Sequence, residues 1–205
     1  MLNRFVSSTV SLIMLIPPIR DFLILSLFSA LLVSKDRFTA FIIRLYASPL
    51  KPSDYILGYT VPLIPMALLQ TLVTCLFALI FGLSFSANIL LAAVVSIVPA
   101  FLYISIGLLC GTAFSDKMVG IICGAVLTNL SAWLSNIWFD ISLVGGAFEK
   151  IAGFLPFIHC VNALRATLEG NYSQIIPELL WVFGYAAVIF ACAVLLFNRR
   201  MKQDK

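Results

Sequence analysis

Of the 205 residues, 62% are hydrophobic and only 11% charged, and the mean hydropathy is +1.09. Soluble domains carry about 25% charged residues, so a chain this apolar cannot keep a hydrated surface, and its solvent is lipid. At about 20 residues per spanning helix the length allows roughly five or six spans and no separate soluble domain. The net charge of +4 matters less for its size than for its placement, and no nucleic-acid partner is expected.

Met1 to Arg4 carries one positive charge, and the apolar run that follows meets Pro17-Pro18 and Arg20-Asp21. No small-residue cleavage pattern is present, so this is not a removable signal. The run ends near Val33 and starts either at Phe5 or at about Pro17. In the shorter reading Arg20 and Asp21 sit at the outer interface and snorkel to water. In the longer one they are intramembrane and candidates for a functional site. The shorter reading is preferred because 17–33 is already close to spanning length.

A polar, basic island follows, KDRFTAFIIRLYASPLKPSDYILG over 35–58. Phe38, Phe41, Ile42, Leu45 and Tyr46 recur at helical spacing, which lays one apolar face on the membrane surface. Pro49 and Pro52 stiffen the exit. Four more spans are expected at 57–83, 88–113, 117–138 and 177–197. The connections Gly82-Leu83-Ser84-Phe85-Ser86 and Ser115-Asp116 are tight and make their flanking helices antiparallel neighbours. Ser115 or Asp116 suits a cap, and Pro177 suits the first turn of the last helix. The stretch 139–176 is broken by Gly145-Gly146, Pro156 and Gly170. Its 153–168 part reads as a helix too polar at its end to span, hence an extracytoplasmic re-entrant or surface element. The expected fold is an all-α integral membrane protein. It is a bundle of about five transmembrane helices in a single domain over 1–205, with a cytoplasmic coupling segment at 35–56.

Four spans separate the island from the tail, which places both on one side with the Lys117 loop. That side collects Lys35, Arg37, Arg44, Lys51, Lys117, Arg199, Arg200, Lys202 and Lys205, nine of the 13 basic residues. The positive-inside rule makes it cytoplasmic. Trp138 and Trp181 then fall at outer helix ends and Trp133 just over one turn deeper, as an interfacial belt. This topology starts the first run outside. Two readings of that remain open: an upstream span of related proteins is lacking, or 5–16 dips into the bilayer and returns.

Enzymatic chemistry has almost no foothold. There is no GxxxxGK[ST], HExxH or GxSxG, so the chain cannot hydrolyse ATP alone, and no cofactor or metal site is expected. His159, the single histidine, reads as a packing or interfacial residue. The five cysteines show no CxxC pair and read as small apolar residues. Gly107xxxGly111 and Gly120xxxGly124 suit close helix packing, within the subunit first and at a dimer seam second. Gln70, Thr71 and Thr74 on one helix, and Thr128, Asn129, Ser131, Ser135 and Asn136 on another, suit interhelical hydrogen bonds. Gln70, Thr74, Asn129, Ser135 and Asn136 are the candidates for a translocation path. Pro62, Pro65 and Pro99 interrupt helices and leave carbonyls for neighbours to satisfy.

Arg44, Leu45, Ala47, Ser48, Pro49, Leu50, Pro52 and Gly58 form a pattern that resembles the cytoplasmic segment of ABC transporter permease subunits of the type-2 exporter class. Pro156, Leu164, Arg165 and Gly170 are similar, more weakly, to that family's outer segment. The likeness runs from Pro17 onward. It implies six family spans, a homodimer or heterodimer, and a separate ATP-binding subunit docked on the coupling segment, with no catalysis by the permease itself. Arg44, Leu45, Tyr46, Ala47, Ser48, Pro49, Leu50, Lys51 and Pro52 are then the coupling residues of an efflux system in the cell membrane. Two rivals stay open: an ATPase-independent channel or ion-coupled carrier, and an inactive or regulatory permease fragment.

Overall fold

The structure is a computed structural model and describes residues 20–36, 51–80, 87–137 and 141–203. Every regular element among them is helical. In chain order these are α1 (20–36), α2 (Pro52–Ile80), α3 (Ala87–Val95), α4 (Ile97–Ala113) and α5 (Asp116–Ile121). A π turn over Ile122–Val126 leads into α6 (Leu127–Leu134), then α7 (Ile141–Val144), α8 (Gly146–Phe154), α9 (Pro156–Glu169) and α10 (Tyr172–Gln203). Four stretches are long and apolar enough to cross a membrane: Pro52–Phe77, Ala87–Ala113, Asp116–Leu134 and Tyr172–Lys202. The pair α8 and α9, bent by 73°, makes up to five. The described part of α1 adds the apolar run that ends at Ser34.

Helices begin earlier than the apolar runs do. α2 opens at Pro52, where proline costs nothing because a first-turn N–H has no partner anyway. Asp54 reaches back to accept from the Lys51 backbone N–H (3.3 Å), half of a capping box. α10 opens at Tyr172, so Pro177 lies inside it rather than in its first turn. The reason is the end of α9: Gly170 takes φ +75°, and the Gly170 and Asn171 N–H groups close onto Thr167 and Ala166. That Schellman turn uses up the carbonyls of α9 and releases the chain directly into the next helix. Ser115 occupies the N-cap of α5 but makes no side-chain capping bond.

α4 is the buried axis of the bundle. Leu102, Tyr103, Ile104 and Leu108 are all sealed within it. Phe22 of α1 and Phe157 of α9 pack on Tyr103 at 6.0 and 6.2 Å, and Phe101 meets Phe183 and Phe190 of α10. α1 lies on α4 at backbone distance. A Cβ on Gly107 would stand 1.9 Å from Ser29 Oγ and 2.2 Å from the Ser26 carbonyl, and one on Gly111 2.4 Å from the Ala30 carbonyl. This glycine pair is consumed inside the subunit. Around Gly120 and Gly124 no described atom beyond their own helix lies within 4 Å. Between α3 and α4, Ser96 sits in a turn; Pro99 three residues on has no N–H for the Val95 carbonyl.

Candidate functional site

The flanks of segment 37–50 meet at one end of the bundle. Asp36 ends α1, and Tyr59 of α2 donates its hydroxyl proton to Asp36 Oδ2. Tyr59 and Tyr55, one turn apart, join hydroxyls at 2.9 Å, with their rings edge-on at 4.8 Å. The Tyr55 ring also lies flat on Phe197 of α10, centroids 4.3 Å apart and planes within 10°. Beside them Arg200 Nη2 donates to the Ala113 carbonyl at the end of α4 (2.8 Å), the placement a helix C-terminus favours. Lys35, Lys51, Lys117, Arg199, Arg200 and Lys202 therefore share one end. α2, at 29 residues, is about 43 Å long against a hydrocarbon core of ~30 Å. Its first turns extend past the apolar layer, which places the two tyrosines at the interface that tyrosine prefers.

A second tie between α1 and α2 lies at the other end. Thr74 Oγ1 donates to Asp21 Oδ2 (2.8 Å). Fifteen residues separate Asp21 from Asp36, and fifteen separate Thr74 from Tyr59, so the two helices are pinned in register at both ends. The pins are about 22 Å apart along the helices. Neither falls at the midplane of a ~30 Å core. Asp21 thus has a partner that sequence reading left out, while Arg20 is exposed.

At this far end α10 also holds the bent pair α8–α9. Trp181 Nε1 and Tyr185 Oη both donate to the Phe154 carbonyl (3.2 and 2.9 Å), and His159 Nε2 donates to the Gly153 carbonyl (2.8 Å). These carbonyls end α8 and have no helical N–H ahead of them. His159 Nδ1 faces Glu178 Oε2, and Asn162 Nδ2 donates to Glu178 Oε1 (3.4 Å). Phe154, Trp181 and Tyr185 pack pairwise at 6.0–6.3 Å. His159, expected as a packing or interfacial residue, lies beside the 73° bend and packs on Trp181 with centroids 5.5 Å apart. Tyr172 Oη donates to Asn88 Oδ1 (2.7 Å) and joins α10 to α3 at the same end.

A profile of the family described as ABC-2 family transporter protein matches residues 2–195. The chain belongs to that family. No curated protein and no solved structure matches it. As an ABC-2 permease it is a multi-pass membrane transport subunit whose family works with an ABC ATP-binding subunit.

Of the residues expected to couple the permease to an ATPase, Arg44, Leu45, Tyr46, Ala47, Ser48, Pro49 and Leu50 lie outside the described residues; Lys51 is exposed just before α2 and Pro52 is its first residue. The five path candidates do not gather in one place. Gln70 Oε1 is buried with no hydrogen-bond partner among the described residues, one turn from Thr74 on α2. Asn129 is exposed on α6, its amide turned back to the Ala125 carbonyl (2.8 Å). Ser135 is buried and donates to Ala132 (3.2 Å). Asn136 takes φ +57° in the turn after α6 and accepts from the Ile141 N–H (2.9 Å), the first of α7. Thr71, by contrast, makes an interhelical contact, to Ser96 Oγ at 3.2 Å. Two cysteines of scattered sequence position, Cys110 and Cys123, meet in a small buried cluster with Ala30 and Val119. Among the described residues no group of three or more His, Cys, Asp or Glu is placed to hold a metal.

Proposed function

We propose that this permease is the membrane subunit of an ATP-driven exporter. Segment 35–56 lies in the cytoplasm and receives the ATP-binding subunit, and two permease copies enclose the path. The observation that carries the reading is the meeting of both flanks of that segment with the α4–α5 turn and the end of α10. The shared end is also the basic one, which supports a cytoplasmic C-terminus in the cell membrane. Leu45, Tyr46, Ala47, Ser48, Pro49, Leu50 and Pro52 supply the packing surface for the ATPase, while Arg44 and Lys51 meet acidic residues or lipid phosphates. ATP-driven closure of the ATPases then switches the path from inward to outward access. The open face at Gly120 and Gly124 is the seam offered to a second copy. Gln70, Thr74, Asn129, Ser135 and Asn136 are polar groups for a path between copies. The bent pair α8–α9 enters from the outside and returns.

The experiment is co-purification from native membranes. The wild-type chain brings an ATPase with it, and Leu45→Asp with Tyr46→Asp inserts normally but brings none. Unchanged pull-down by the double variant removes the docking role. The ion-coupled carrier reading has one observation in its favour, the half-buried Asp21 with its Thr74 bond. It is disfavoured because coupling ions bind near the bilayer midplane, and Asp21 lies toward one face.

A further inference from the structure

The root of the coupling segment has a directionality that deepens the proposed function and rests on it. A carboxylate accepts and does not donate. Tyr59 gives its one hydroxyl proton to Asp36, so the 2.9 Å contact between the tyrosine hydroxyls is donated by Tyr55. The order is Tyr55 to Tyr59 to Asp36, and bonds in such a chain polarise one another. Removing the middle hydroxyl therefore unmakes two bonds at once. Asp36 and Lys51 lie fifteen positions apart in the sequence, and the side chains of Asp36, Tyr59 and Tyr55 tie the two roots to each other.

The same tyrosine faces a third helix. Tyr55 is 7% exposed and Phe197 1%, and their rings are stacked without a gap for lipid. From Phe197, α10 runs back as one helix to Tyr185 and Trp181, which grip the Phe154 carbonyl of the outer bend. Sixteen residues, about 24 Å of helix, join the two contacts. We propose that Asp36, Tyr59 and Tyr55 are a positioning clamp. It makes both roots of segment 37–50 move as one body and passes that motion through Phe197 and α10 to the outer bent pair. Thr74 and Asp21 make the same kind of bond at the far end of the same two helices, yet they have no place in this line of force.

That symmetry supplies the control. The full chain, with the ATPase that co-purifies with it, is placed in lipid nanodiscs. Amide hydrogen exchange of residues 146–169 is then compared without nucleotide and with ATP plus vanadate. The wild-type complex changes its protection there on trapping. Tyr59→Phe and Asp36→Asn keep the ATPase bound at wild-type stoichiometry but lose at least three quarters of that change. Asp21→Asn, which takes the charge out of the equivalent hydroxyl–carboxylate bond at the far end, keeps it. A merely structural role would move the three variants together. A full response in Tyr59→Phe, or an equal loss in Asp21→Asn, overturns the clamp and leaves the exporter reading intact. Absence of any ATPase from the wild-type preparation overturns the exporter reading and the clamp with it.

Discussion

The two ends of the bundle are tied by different means. At the basic end, side chains of three helices bond to one another: carboxylate, two hydroxyls and a stacked ring pair link α1, α2 and α10. At the opposite end the carbonyls where α8 stops are capped, Phe154 by Trp181 and Tyr185 of α10 and Gly153 by His159 of α9, beside side-chain pairs from Glu178 and Tyr172. The first arrangement fixes helices relative to each other. The second fixes a break in a helix, because carbonyls at an apolar boundary need donors. One end is suited to transmitting a displacement and the other to holding a fold that would otherwise come undone.

The harshest way to break both ends together is to wedge the seam they share. Gly107→Leu drives a side chain into the Ser26 backbone and is expected to cost about 3 kcal/mol, seen as a large drop in melting temperature in detergent. Gly124→Leu adds the same bulk to an open face. It leaves the melting of the single subunit within about 0.5 kcal/mol and lowers the dimer fraction in light scattering. Next comes the inner tie. Tyr59→Phe removes a hydrogen bond to a carboxylate and is expected to cost about 1.5–3 kcal/mol, as hydrogen bonds to charged groups do.

The tie at the bent pair is softer to single changes because the Phe154 carbonyl has two donors. Trp181→Phe alone is expected to cost less than about 1 kcal/mol in hydrogen bonding, since Tyr185 still serves the oxygen. Adding Tyr185→Phe orphans it, and the pair costs more than the sum of the singles by about 1 kcal/mol. Exchange of the 146–154 amides reads this non-additivity. Smallest of all is Ser115→Ala, which removes a hydroxyl with no capping bond and is expected to stay within about 0.5 kcal/mol.

Hydropathy made the spans readable, because lipid selects residue by residue along the chain. It also placed the breaks at Gly145-Gly146, Pro156 and Gly170, where backbone chemistry is local. Helix ends were less readable: Pro52 and Tyr172 begin helices inside polar stretches, where caps rather than apolarity decide. Pro177 misled for the same reason, since the Schellman turn at Gly170, seven residues earlier, had already set the start. The ties themselves were hidden. Tyr59 and Asp36 are 23 residues apart, and nothing in either neighbourhood names the other. Asp21 announced itself as a charge beside a double proline, but its partner Thr74 is 53 residues on. His159 looked inert because its partners are backbone carbonyl and a glutamate 19 residues away. The family was legible by resemblance, and the matched family profile bears that out.

α10 has 32 residues, a rod of about 48 Å in a slab whose oily layer measures ~30 Å. Such an excess is accommodated by leaning or by local thickening of the bilayer. Because this rod carries Phe197 near one tip and Trp181 toward the other, its lean sets the angle at which both grips are presented. Bilayer thickness thereby becomes a tuning knob for the protein, and short-chain and long-chain lipids will hold it in different postures.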